Sequence, residues 1–260
     1  RVIGQAYISH EGKIVIFWSP KCASTAISQW FIHNFVDTEK YDGKFTRRML
    51  ASNGFACSAK TGQHLVLKSN YKSIFFSRNP FRRCVSTYLN KFYVKHKRPI
   101  LEYKDLEPFA RAFIDQVNQH NGKPPKHFEI TFIEYLKFVF IFMNEGRLVD
   151  RHWATQVPTQ FGFEVVPDFI VKQECFSEEL RLLNRQMGLP DFIPEFHNIT
   201  SYDDSFKADS LDYSEKSNIF CLDRSIALSY RNLLNPTSAR LMLEIYKVDF
   251  EYFGYDPTFL

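Results

Sequence analysis

Five consecutive apolar residues, Ile14-Val-Ile-Phe-Trp18, run straight into Ser19-Pro20 and then into apolar residues at helical spacing; no other stretch constrains the chain as tightly. An apolar, β-branched run of this length is the pattern of a strand buried on both faces. Ser19 and Pro20 end it. From Ser24 onward, Ala26, Ile27, Trp30 and Phe31 recur with the period of a helix. A strand, a tight loop bearing Lys21 and a helix start direct backbone N–H groups and the positive end of a helix at one place. Such a place binds phosphate-like anions. The loop is not a Walker A motif, because it lacks the glycines and the Gly-Lys-Ser/Thr ending. A plain strand-to-helix turn gives the same pattern, so the loop alone predicts a geometry and not a ligand.

A second strand-to-helix passage follows. Ser73-Ile-Phe-Phe-Ser77 reads as a strand, and Arg78-Asn79-Pro80-Phe-Arg-Arg-Cys-Val-Ser86-Thr-Tyr88-Leu-Asn-Lys-Phe92 as the helix after it. Asn79 is expected as N-cap, with Pro80 at the first helical position. Arg82, Arg83, Ser86 and Asn90 fall at three- and four-residue spacings and share a face, on which Arg82 and Arg83 read as solvated. An arginine at a strand end before a capped helix makes a second anion site.

Around these two passages, Gln5 to Ser9 is expected as an edge strand and residues 37–63 as loop plus a short helix. His64-Leu-Val-Leu67 is expected as a strand lying between the two anion sites. Lys95-His96-Lys97-Arg98 reads as a charged helix end. Residues 107–117 suit a helix, and Thr131-Phe-Ile-Glu134 is a capping box opening a very apolar one. Residues 150–160 read as irregular, with Trp153 in a loop. Phe169 to Lys172 suits a last strand. Ser177 is expected to cap a helix that stops at Gly188, and a final helix runs from Ser238 toward Phe253. Strands alternating with helices predict an α/β fold: one domain over residues 1–260, with a central, mainly parallel sheet flanked by helices.

The formal net charge of +4 fits an anionic ligand better than a nucleic-acid track. Five scattered cysteines without a CxxC pair favour reduced thiols over a disulfide framework or a zinc site, and no metal is expected. The longest apolar run, Phe138 to Met143, is too short to span a bilayer. Thiols and the lack of a leader favour the cytoplasm; the alternative is the Golgi lumen, had an anchor been trimmed before Arg1. Asn198-Ile-Thr200 matches a glycosylation acceptor.

The two anion passages together resemble the sulfotransferases that use 3′-phosphoadenosine 5′-phosphosulfate (PAPS). Pro20-Lys21-Cys-Ala-Ser24-Thr25 is similar to the 5′-phosphosulfate loop of the carbohydrate branch. Arg78 with Ser86 is similar to the family's 3′-phosphate motif. Asp150-x-His-Trp-x-x-Gln156 and Leu243-Glu-Ile-Tyr-x-x-Asp-Phe-x-x-Phe-Gly-Tyr255 resemble the Golgi-type carbohydrate enzymes rather than the cytosolic ones. Asn79 and Ser77 depart from the residues usual around the 3′-site arginine, and the cysteines common after the His-Trp motif are missing. The resemblance implies a P-loop-like sulfotransferase fold and transfer of a sulfuryl group from PAPS to a hydroxyl or amine of a carbohydrate or small-molecule acceptor. In that reading Lys21 acts on the leaving oxygen and the backbone of Cys22, Ala23, Ser24 and Thr25 cradles the phosphosulfate. Arg78 and Ser86 hold the 3′-phosphate, His64 is the general base and His152 orients the acceptor. Glu174 either orders the rim of the site or is structural. Two other readings stand beside it: a P-loop-like nucleotide or sugar kinase, and a non-catalytic anion- or glycan-binding module.

Overall fold

The computed structural model describes residues 5–41, 43–95, 98–147, 150–159, 162–195, 202 and 205–258. The chain gathers into two compact units. The first comprises residues 1–79, 154–199 and 251–255; the second comprises 80–153, 200–250 and 256–260.

The first unit is built on a five-stranded sheet. Its opening elements are β1 (Gln5–Ser9), β2 (Ile14–Trp18), α1 (Ser24–Phe35), the single turn α2 (Met49–Ser52), β3 (Ala56–Ser58), α3 (Ala59–Ser69) and β4 (Lys72–Ser77). The second unit contributes α4 (Pro80–Tyr88), a small ribbon of β5 (Val94–Lys95) and β6 (Arg98–Pro99), α5 (Pro108–Asn121) and α6 (Phe132–Asn144). The chain then returns to the sheet with β7 (Phe169–Lys172) and α7 (Phe176–Met187), and closes with α8 (Asn218–Asp223), α9 (Tyr230–Leu233) and α10 (Pro236–Phe253).

The strand order is β3-β1-β2-β4-β7. β2, β4 and β7 run parallel, while β1 is antiparallel to both of its neighbours, so the sheet is mixed. β1 is therefore interior and not the edge strand its weak alternation suggests; β3 takes that edge. Register pairs Trp18 with Phe76. The loops leaving β2 and β4 accordingly emerge at the same edge of the sheet, at the carboxyl ends of parallel strands, where α/β sheets bind ligands.

Alternation sorts the two faces. Tyr7, Ile14, Ile16, Trp18, Ile74, Phe76 and Val171 pack with Ile27, Trp30 and Phe31 of α1 and Phe176, Leu180 and Leu183 of α7. On the other face Gly62 lets α3 lie directly on the sheet: a Cβ there would come within 2.9 Å of Val15, 3.0 Å of Phe17 and 3.2 Å of Ala6. Phe75 meets Phe163, Tyr252 and Phe253 on that face.

The strand expected at His64–Leu67 is instead part of α3. Four apolar-flanked residues are too few to carry a period. Ser58 caps the helix by accepting from Thr61 N (2.9 Å), and Asn70 ends it in the left-handed region. α7 starts one residue before the expected Ser177 cap, after a 3₁₀ turn, and Glu179 of its first turn accepts from Lys172 N. Gly188 ends it in the left-handed conformation, as expected.

In the second unit Pro80 opens α4 as predicted, and the helix widens into a π turn at Leu89–Tyr93. The Thr131–Glu134 capping box is formed in both directions, each bond 2.9 Å. Trp153 is a core residue, its ring against Phe92, Phe109 and Phe113. Arg83 is buried too, donating to Arg151 O (3.0 Å), so the pair read as a solvated face splits, with only Arg82 exposed. Lys95 and Arg98 lie on the ribbon, not at a helix end. His96, Lys97 and Asn198-Ile-Thr200 lie outside the described residues. None of the five cysteines is joined in a disulfide. Among the described residues no helix is long and apolar enough to cross a membrane.

Candidate active site

The loop after β2 is shaped by its backbone. Lys21 (φ 70°) and Ala23 (φ 59°) both sit in the left-handed region, where a non-glycine residue is strained. Cys22 N–H folds back to Ser19 O (3.3 Å). Ala23 is the N-cap of α1 and supplies no side-chain acceptor, and the first turn holds no acidic residue. The positive end of a twelve-residue helix thus lies behind Lys21, Cys22, Ala23, Ser24 and Thr25 with no carboxylate of its own to neutralise it.

Gln156 ties this loop to the end of β4. Its Oε1 accepts from Cys22 Sγ (3.0 Å) and from Arg78 N–H (2.9 Å), and its Nε2 donates to Arg78 O (2.8 Å). Arg78 adds a direct link, Nη1 donating to Lys21 O (3.1 Å). One buried amide therefore sets the spacing of both anion passages. Gln156 enters the sequence reading only as the last letter of the His-Trp motif; a glutamine carries no chemical signature that announces such a role.

A second brace holds the end of β4. Glu174 accepts from Asn79 N–H (2.9 Å) and from Tyr255 OH (3.0 Å), and the Tyr255 hydroxyl also meets Ser77 Oγ (3.1 Å). Lys172 Nζ lies over the Tyr255 ring at 4.7 Å and donates to Gly254 O. Burial raises the Tyr255 hydroxyl far above its usual range, so it stays a donor at every physiological pH. Glu174 thereby fixes the passage from Ser77 to Asn79.

His64 is exposed on α3 in the same unit. Ser86 and His152 belong to the other unit, where Ser86 is half-buried on α4 and its neighbour Thr87 donates to His152 O (3.1 Å). The His152 ring is fixed on two sides: Nδ1 lies 2.6 Å from Asp150 Oδ1, and the ring stacks on Phe109 at 4.5 Å and 7°. Burial lowers its pKa and the Lys91 and Arg151 charges add to this, while Asp150 opposes them. Lys91, in the π turn, is paired with Glu107 (3.2 Å), as is Lys95. Among the described residues no group of three or more His, Cys, Asp or Glu converges as metal ligands.

A family model described as sulfotransferase family matches residues 5–256, from the first residue of β1 to just past Tyr255. The chain belongs to the sulfotransferase family. No curated protein and no solved structure matches it. This sulfotransferase is thus an enzyme of sulfuryl transfer, and the match takes in both units and both anion passages. Its family generally draws the sulfuryl group from PAPS. The residues present fit such a nucleotide: a helix N-terminus with a lysine for one phosphate and a strand-end arginine for another.

Proposed function

We propose that this sulfotransferase, acting as one domain over residues 1–260, moves the sulfuryl group of PAPS to a hydroxyl or amine of a carbohydrate or small-molecule acceptor. The observation that carries the reading is the pair of anion passages at the carboxyl ends of adjacent parallel strands, joined through Gln156. When bound, PAPS supplies an activated sulfuryl group on a phosphate leaving group. The amides of residues 22–25 and the dipole of α1 cradle the phosphosulfate. Lys21 neutralises the charge that builds on the bridging oxygen as the S–O bond breaks. Arg78 grips the 3′-phosphate with its planar fork, with Ser86 as the motif's second ligand.

For the base we assign His152 and give His64 the lesser part, the reverse of the sequence expectation. The strand-end position that favoured His64 is a helical, exposed one. His152 has its Nδ1–H directed to Asp150, which leaves Nε2 to take the acceptor's proton as the new S–O bond forms. Its depressed pKa keeps it neutral near pH 7.

The nucleotide reading is tested by thermal shift. 3′-Phosphoadenosine 5′-phosphate should raise the melting temperature well beyond AMP, and Arg78→Ala should erase that preference by removing a charge-assisted bond worth about 1.5–3 kcal/mol. Equal stabilisation by the two nucleotides would overturn the assignment.

A further inference from the structure

We infer that Arg47 is a second cationic ligand for the 5′ end of the bound nucleotide, beside Lys21; the inference rests on the PAPS reading and adds a residue that neither anion motif contains. Arg47 precedes α2 and is exposed, yet its guanidinium is held in place. It lies 5.0 Å from the centroid of the Trp18 ring, and Nη1 donates to Ser24 Oγ at 3.3 Å. Trp18 is the last residue of β2 and Ser24 the first of α1. The two anchors of Arg47 are therefore the two rims of the anion loop.

The charge placement is what gives this meaning. A cation beside the positive end of a helix is unfavourable, and α1 carries no acidic residue in its first turn to offset it. Among the described residues no carboxylate pairs with Arg47. Its sign and position serve stability poorly, and an anion at the α1 N-terminus reverses both terms. One N–H of the fork is spent on Ser24, and the others remain for phosphosulfate oxygens. Stacking on Trp18 restricts the side chain beforehand, so less freedom is lost on binding.

Three adenosine nucleotides separate this role from a structural one: 3′-phosphoadenosine 5′-phosphate, AMP with only the 5′ group, and adenosine 3′-phosphate with only the 3′ group. Arg47→Gln should weaken the first two roughly ten-fold and flatten the salt dependence of their binding, with adenosine 3′-phosphate unchanged. Arg47→Lys, which keeps the charge but not the fork, should fall between. Arg78→Ala gives the opposite pattern, sparing AMP. A Gln variant that binds the bisphosphate as tightly as the parent would overturn the role of Arg47 and leave the PAPS reading standing. So would one that loses all three nucleotides equally, since that is the mark of a disturbed Trp18. If the parent protein shows no preference for the bisphosphate, both readings fall together.

Discussion

Replacing Gln156 by leucine isolates the amide that joins the two anion passages. The residue is 8% exposed, and its amide's hydrogen bonds include those from Cys22 Sγ, from Arg78 N–H and to Arg78 O. At about 0.5–1.5 kcal/mol each, with the Arg78 backbone groups left unpaired in a nearly dry place, the loss comes to ~2–4 kcal/mol. In a chain of this size that lowers Tm by roughly 4–8 °C. It should also loosen the spacing of Lys21 and Arg78, so the stabilisation conferred by 3′-phosphoadenosine 5′-phosphate should shrink along with stability. Urea unfolding with and without the nucleotide reads both quantities in one experiment. Gln156→Glu refines it: the carboxylate keeps the two bonds at Oε1 but sets an acceptor against Arg78 O and buries a charge. Burial raises that carboxyl's pKa, so the folded form takes up a proton before the unfolded one. The Glu variant should therefore regain stability as pH falls, because the protonated acid can donate to Arg78 O. A leucine variant within about 0.5 kcal/mol of the parent, with unaltered nucleotide binding, would remove Gln156 from both roles.

Lys21→Ala should cut turnover by orders of magnitude while changing nucleotide affinity little, read as kcat against Kd; an unchanged kcat removes Lys21 from the chemistry. His152→Ala should lose about 10²- to 10⁴-fold in turnover and abolish the acidic limb of the pH–rate curve, whereas His64→Ala should leave the limb in place. Because the Lys91 charge lowers the His152 pKa, Lys91→Met should shift that limb to higher pH; a shift to lower pH contradicts the assignment. The same depressed pKa makes the unfolded chain bind the proton first, so the His152 contribution to stability is lost as pH falls below about 6.5, the unfolded value. Gly62→Ala should destabilise by about 1–2 kcal/mol in denaturant, the clash with Val15 and Phe17 outweighing the helix-propensity gain.

The two strand-to-helix passages are legible because each couples a strong local signal to another: an apolar run to a breaker, a strand end to Pro80. The sheet partners were harder. β1 looked like an edge because its pairing with the three-residue β3 is a long-range event that no local pattern announces. His64 was misplaced because a short apolar run reads as strand or helix alike, and the deciding residues, Ser58 and Asn70, lie outside it. Arg83 reads as solvent-facing by charge alone; its burial beside Arg151 O depends on the second unit's packing. Gln156, Glu174 and Arg47 act through bonds to segments 78, 95 and 23 residues away, and spacing cannot carry such information.

The sheet unit is written in three instalments, and its last is only residues 251–255. Those few residues supply Tyr252 and Phe253 to Phe75, and Tyr255 to Ser77 and Glu174. On a ribosome adding about 5–20 residues per second, Arg78 emerges roughly 10–35 s before Tyr255. Through that interval β4 waits, first for β7 to cover its open edge and then for the tyrosine that pins its exit. Until β7 is made, the nascent chain carries an aromatic strand with one edge unpaired, the form most open to pairing with a neighbouring chain. A stop codon between positions 175 and 251 would release a protein that keeps Gln156 and Glu174 but lacks the Tyr255 hydroxyl that meets Ser77 and Glu174.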